Sequence, residues 1–191
     1  MIEQEINRID YKGHTIVLGY DECPESPREW DNLGTIYSNH RTFSPDRKSI
    51  EELIQDVGGD VYASYIPWDL IAKKYYFHKI WMYDHSGQTI RTGATNPFSC
   101  PWDSGLAGVI VVSKAQARKE YGKTKGKALE ERVLKVLDGE IKDLDKFMQG
   151  EIYAYRVLDA NGDEVDSCYG WYDQDEAIAE AKGVIDNIIE K

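Results

Sequence analysis

One cysteine in this chain has neighbours of the types that nucleophilic catalysis uses. Cys100 lies in the segment CPWDSG (100–105), and a second segment, DHSG (84–87), places an acid, an imidazole and a hydroxyl in succession. A cysteine nucleophile needs an imidazole to take its proton and a third group to orient that base. The side chains that could fill those two roles are His40, His78, His85, Asp84 and Asp103.

Both segments also have a structural interpretation. Cys100 precedes a proline and does not open a helix, so the helix dipole that often activates a thiol is not expected there, and a free cysteine commonly packs as a small apolar residue. Asp, Ser and Gly are the residues that tight turns need, which makes DHSG a hairpin turn. We therefore favour a protein without catalytic activity. A Cys/His-dependent hydrolase or nucleotide-modifying enzyme remains the alternative.

The residue spacing gives no metal or cofactor motif. The cysteines and histidines lack the C-x-x-C and H-x-x-x-H spacings of zinc sites. The segment DANGDEVD (159–166) has the aspartates of a calcium loop but not its glycine at the sixth position or its glutamate at the twelfth. No phosphate-binding glycine loop and no dinucleotide fingerprint occurs. We expect neither a metal nor a cofactor.

Tryptophan and aspartate occur next to each other in two glycine-bounded segments. Trp30 lies in SPREWDNLGT (26–35) and Trp102 in CPWDSG. Such an indole can close the edge of a core while the carboxylate caps the following element. It can also be an exposed anchor for a partner protein. Both interpretations are kept for Trp30 and Trp102.

The net charge of −11 is unevenly distributed along the chain. Residues 139–191 hold fourteen Asp/Glu and five Lys/Arg, whereas residues 114–135 hold eight Lys/Arg and three Glu. An acidic protein repels phosphate groups, so we expect a basic protein partner and no direct binding of nucleic acid. Turn formation and helix capping would explain many of the same acids equally well. The acids expected to contact a partner are Asp159, Asp163, Glu164, Asp166, Asp173, Asp175 and Glu176.

Length and composition favour a cytoplasmic protein. At 191 residues and 41% hydrophobic content the chain can bury a core without a metal or a disulfide. Three cysteines (Cys23, Cys100 and Cys168) leave at least one unpaired, and the first residues lack the pattern of a secretory signal. No apolar segment approaches the roughly 18 residues of a membrane span.

The periodicity predicts an α+β fold with a mostly antiparallel sheet and several short helices packed on it. Hairpins are expected around Ser86-Gly87 and around Asn161-Gly162, the second followed by an amphipathic helix that begins at Asp173. Helices are also expected after Ser49 and Ser113, and one is expected to stop at Gly139. We expect a main α+β domain over 1–138 and an acidic helix-hairpin-helix subdomain over 139–191, packed together.

Four motifs together resemble a family of small acidic proteins encoded by bacteriophages and mobile elements. They are SPREWDNLGT, YDHSG, PFSCPWDSG and VDSCYGWY. The resemblance implies a phage accessory protein in the cytoplasm of a bacterial host, and it assigns no catalytic residue. Proteins of this kind often block host defence by occupying the basic channel of a nuclease, as anti-CRISPR and antirestriction proteins do. The expected function is therefore inhibition of a host defence nuclease. The other alternative is an interaction module of a phage replication complex.

Overall fold

The computed structural model describes the backbone of residues 2–190 and the side chains of all of these except Glu3. It contains two four-stranded antiparallel sheets and five α-helices, which confirms the predicted α+β class. The strands are β1 (Ile2–Tyr11), β2 (His14–Asp21), β3 (Thr35–Tyr37), β4 (Tyr75–Asp84), β5 (Gln88–Thr92), β6 (Ser104–Ser113), β7 (Tyr153–Leu158) and β8 (Glu164–Trp171). The helices are α1 (Ile50–Asp56), α2 (Trp68–Lys74), α3 (Lys114–Tyr121), α4 (Gly126–Met148) and α5 (Gln174–Ile189).

The chain forms two compact units. Residues 27–145 make up the central unit, and the residues up to 26 together with those from 146 onwards make up the terminal unit. The expected boundary between 138 and 139 instead falls inside α4. Strands β1 and β2 group with the C-terminal hairpin because β2 pairs with β7, with Thr15 opposite Leu158 and Tyr20 opposite Tyr153.

The terminal unit is a sheet of order β1-β2-β7-β8 with α5 packed on one face. Ile16 and Leu18 of β2 and Tyr155 of β7 alternate onto that face, as the period of two along a strand requires. Ala177, Ala181 and Ile185 of α5 are buried against them. The predicted C-terminal hairpin followed by a helix is confirmed.

The central unit is a sheet of order β3-β6-β4-β5. Its inner strand β6 is the continuous apolar run that the sequence indicated, and it is buried from Ala107 to Val112. Gly34 precedes β3, and a Cβ atom built on it would lie 2.6 Å from the side chain of Ile110 and 2.7 Å from that of Leu137 in α4. The glycine of SPREWDNLGT is therefore needed for close packing.

Most of the local predictions are confirmed. Ser49 forms a complete capping box with Glu52, and Ser113 accepts a hydrogen bond from the amide of Gln116 at the start of α3. The turn between β4 and β5 has Ser86 at φ 57° and Gly87 at φ 147°, as expected of a tight hairpin.

The predicted helix end at Gly139 is wrong. Helix α4 continues through Gly139 to Met148 because its buried stripe continues on the far side of the glycine with Ile141 and Leu144. A glycine in a helix interior is less favourable than alanine by only about 1 kcal/mol, and burial of that stripe outweighs it. Strand β1 was not predicted, because its many polar side chains obscure the alternating pattern that identifies a strand.

Candidate functional site

The whole net charge of the chain belongs to the terminal unit. Residues 1–26 and 146–191 contain 17 Asp/Glu and six Lys/Arg, a net charge of −11. Residues 27–145 contain 17 of each, a net charge of zero. The basic run 114–135 is thus balanced by acids of its own unit. We call the exposed carboxylates of the β7–β8 hairpin and the first turn of α5 the acidic surface.

At the hairpin turn, Asp159 is used to build the turn itself. Its Oδ1 accepts hydrogen bonds from the backbone amides of Asn161 at 2.8 Å and Asp163 at 2.9 Å, and Gly162 adopts φ 89°. The amide of Asp163 is the main cause that holds the pKa of Asp159 below its usual value. Asp163 itself is exposed. Only Asp163 of this pair is therefore available to a partner.

On β8, the two predicted acids already have contacts. Asp166 accepts a hydrogen bond from the hydroxyl of Tyr155 at 3.1 Å. Burial, and then the charge of Asp166, raise the pKa of that tyrosine. Glu164 is exposed and lies 3.9 Å from Arg156, a distance typical of a weak surface ion pair. Asp166 is thus part of the packing, and Glu164 belongs to the acidic surface.

At the start of α5, Asp173 is the N-cap residue. Its Oδ1 accepts from the amides of Asp175 at 2.9 Å and Glu176 at 3.1 Å. Asp175 and Glu176 are exposed in the first helical turn, where the helix dipole also stabilises a negative charge. The acids are divided between the two predicted roles, which are turn formation or capping and contact with a partner. Asp159 and Asp173 form the turn and the cap, while Asp163, Glu164, Asp175 and Glu176 face solvent.

The structure brings three of the catalytic candidates together in the central unit. The thiol of Cys100 donates to Oδ2 of Asp103 at 3.3 Å, and Nδ1 of His85 lies 3.6 Å from the same oxygen. The backbone amide of Asp84 donates to the carbonyl of Asp103 at 2.8 Å. The carboxylate therefore sits between the thiol and the imidazole. A cysteine nucleophile needs the opposite order, with the imidazole next to the thiol.

The two remaining histidine candidates are placed differently. His40 lines a cleft of about 300 Å³ together with Trp102 and Asp103. Nε2 of His78 is 3.0 Å from the carbonyl oxygen of Leu134, so this ring holds α4 against β4.

The two tryptophan loops differ in exposure and in support. Trp30 is 43% exposed and lines a cleft of about 350 Å³ between its loop and helices α3 and α4. Trp102 is 93% exposed, the largest exposed fraction of any tryptophan in the described part of the chain. The Trp30 loop is held by Arg28, whose guanidinium pairs with Asp46 at 2.8 Å and Glu140 at 2.9 Å. Residues 100–103 of CPWDSG form a bend that leads into β6, here called the Trp102 turn, and its indole is exposed.

Sequence reasoning missed the acids of β1 and β2, which add to the charge of the terminal unit, because it did not foresee that both chain ends share one sheet. It also missed the Arg28–Glu140 pair, since 112 residues separate the two side chains. Short-range spacing carries no signal for either.

All three cysteines are free thiols. Within residues 2–190, no cluster of three or more His, Cys, Asp and Glu side chains is placed to hold a metal ion. In the same range, no helix has the length and apolar character needed to cross a membrane. Comparisons with protein-family models, with curated proteins and with solved structures found no match to this chain.

Proposed function

We propose that this protein is a non-enzymatic inhibitor whose acidic surface occupies a basic, nucleic-acid-binding surface of a host defence nuclease. The observation that carries the proposal is the segregation of charge, with a net −11 on the terminal unit and none on the central unit. A charge spread evenly would serve solubility alone. A charge collected on one unit also creates a directed field, which steers that unit toward a basic groove.

The chemistry of a nuclease groove fits such a surface. Nucleases bind phosphates through Lys and Arg side chains, and carboxylates on a fixed hairpin and helix end compete for the same side chains. The hairpin turn and the N-cap are held by Asp159 and Asp173, so the remaining carboxylates are presented on ordered backbone. Binding then requires little further ordering.

The geometry around Cys100 supports a protein that works without a cysteine nucleophile. Its thiol donates a hydrogen bond to the carboxylate of Asp103, and that carboxylate lies between the thiol and the imidazole of His85. Under the proposal, Cys100→Ala leaves the inhibition of the nuclease unchanged. If that variant abolished activity with the fold intact, the hydrolase alternative would take its place.

The test is capture of partners from a bacterial lysate, followed by a nuclease assay on the captured protein. Capture is compared at about 0.1 M and about 1 M salt, where the Debye length falls from about 10 Å to about 3 Å. The test variant reverses four exposed acids of the terminal unit to lysine: Asp163, Glu164, Asp175 and Glu176. The control variant makes the same change in net charge with four exposed acids of the central unit: Asp69, Glu120, Glu130 and Glu131.

We expect the native protein and the control variant to retain a nuclease at low salt and to inhibit it, and the test variant to do neither. Equal retention by both variants would contradict the proposal, because binding would then follow net charge or another surface. Retention of a phage replication protein with no effect on any nuclease would favour the interaction-module alternative.

A further inference from the structure

The Trp102 turn presents a large apolar side chain to water. The indole is 93% exposed, although tryptophan gains more from burial than almost any other side chain. Exposed tryptophans are enriched among the residues that contribute most to protein interfaces. This indole is therefore a candidate binding residue for a partner protein. The residues around it indicate which kind of side chain it would bind.

The turn that carries Trp102 is fixed in place before any partner arrives. The hydroxyl of Ser104 donates to the carbonyl of Cys100, and the side-chain amide of Asn96 donates to the hydroxyl of Ser104 at 2.8 Å. Asp103, next to the tryptophan, is tied to β4 through the amide of Asp84. A binding loop held in this way loses little conformational entropy when a partner binds.

Beside the indole lies the cleft of about 300 Å³, whose lining includes apolar side chains and two carboxylates. The side chain of Leu106 is partly exposed there, and Asp84 and Asp103 supply two carboxylates. None of the residues that line it is Lys or Arg. An aromatic face, an apolar side chain and carboxylates match the methylene stem and the cationic head of one long basic side chain.

Each carboxylate keeps an oxygen for such a ligand. Asp103 is contacted by Cys100 and His85 through Oδ2, and Asp84 accepts from Gln88 through Oδ2 at 3.1 Å. In the described part of the chain, neither Oδ1 atom has a hydrogen-bond donor. A planar guanidinium can stack on an indole while its edge donates to carboxylates, which an ammonium group cannot do.

We propose that the Trp102 turn and this cleft bind one arginine side chain of a partner protein. Trp102 stacks on the guanidinium, Leu106 contacts the stem, and Asp84 and Asp103 accept its hydrogen bonds. All of these residues belong to the central unit, whose net charge is zero. The inference therefore does not rest on the acidic surface, and either proposal can fail without the other.

The experiment is an NMR titration of the ¹⁵N-labelled full chain with three peptides. The peptides differ only at their central residue, and all their other residues are uncharged. The central residue is arginine, lysine or citrulline, the last being a neutral mimic of arginine's shape. The indole N–H signal of Trp102 is identified by its loss in Trp102→Phe. The indole of Trp81, which donates to the carbonyl of Gly93 at 2.9 Å, reports whether the central unit is folded in each variant.

We expect the arginine peptide to shift the Trp102 signal saturably, together with the backbone amide signals of residues around the cleft. Binding should be about tenfold weaker in Asp84→Asn and in Trp102→Ala, where it is followed by those amide signals. The citrulline peptide should cause no saturable shift, and the lysine peptide should bind several-fold more weakly than the arginine peptide. Equal shifts with arginine and citrulline would overturn the inference. So would an arginine peptide that moves only amides of the hairpin and α5, a result that would leave the acidic surface supported and this cleft rejected.

Discussion

Replacing Glu140 with alanine tests how the Trp30 loop is held. Glu140 accepts from the backbone amides of Leu33 at 2.7 Å and Gly34 at 3.2 Å, and from Arg28 at 2.9 Å. Its side chain is 12% exposed and that of Arg28 is 7% exposed, so water cannot readily replace these bonds. The variant leaves two backbone donors without an acceptor, at about 1 kcal/mol or more each. It also removes a carboxylate that is paired with a buried cation.

Together these losses predict that Glu140→Ala lowers the free energy of unfolding by about 3 kcal/mol. The guanidinium keeps Asp46, which is why we expect the lower end of the range for broken buried pairs. Glu140→Gln keeps one acceptor oxygen and should lose about 1–2 kcal/mol. Glu131→Ala, on an exposed part of the same helix, is the matched control and should change stability by less than about 0.5 kcal/mol.

Urea unfolding followed by tryptophan fluorescence measures this difference, because four of the five tryptophans lie in the central unit. With a slope of about 2–3 kcal/mol/M, the midpoint should fall by roughly 1–1.5 M. A Glu140→Ala midpoint that coincides with that of Glu131→Ala would refute the reasoning. It would mean that the loop finds other acceptors when the carboxylate is removed.

Further predictions concern glycines, a turn and a sheet edge. Gly34→Ala should destabilise by about 1–3 kcal/mol in thermal unfolding, since its Cβ would lie within 2.7 Å of two apolar side chains. Gly139→Ala should instead stabilise the protein by about 0.5–1 kcal/mol, because Gly139 lies inside a helix and a Cβ atom there would meet no other atom within 4 Å. Asp159→Ala should destabilise the hairpin at neutral pH. The pKa of Asp159 is lowered by folding, so its contribution to stability is present above the usual pKa and disappears as the pH falls through the folded value. The unfolding curves of the native protein and Asp159→Ala should therefore converge in acid. A difference in stability that persists in acid would contradict this role of Asp159. Asp145→Ala should speed hydrogen exchange of the Ile90 amide at least about tenfold, because Asp145 accepts from that amide at 2.8 Å on the β5 edge; an unchanged rate would show that the edge is protected by other means.

Features specified by neighbouring residues could be predicted from the sequence. Ser49 with Glu52 makes a capping box through contacts three residues apart, and the Asn161-Gly162 hairpin is set by its own turn. The identity of the β6 strand followed from its apolar run. Each of these depends on a local periodicity or on a backbone conformation that few residues adopt.

Features that depend on distant partners could not be predicted. Gly139 looked like a helix end because the sequence alone does not show that Ile141 and Leu144, which follow it in α4, are buried. The position of Asp103 between Cys100 and His85 follows from the pairing of β4 with β6, which the motifs do not encode. The grouping of β1 and β2 with β7 and β8 is likewise a matter of long-range pairing.

The terminal unit is built from both ends of the chain, and this affects how it folds during synthesis. Strand β2 leaves the ribosome more than a hundred residues before its partner β7, and α5, which covers Ile16 and Leu18, follows later still. Until then β2 has a solvent-exposed apolar face and one unpaired edge, which favours non-native strand pairing and aggregation. A nascent chain therefore carries acids without an organised acidic surface. The proposed inhibitory form requires β7, β8 and α5, so a shortened product that stops after α4 would have the neutral central unit and an unprotected strand β2.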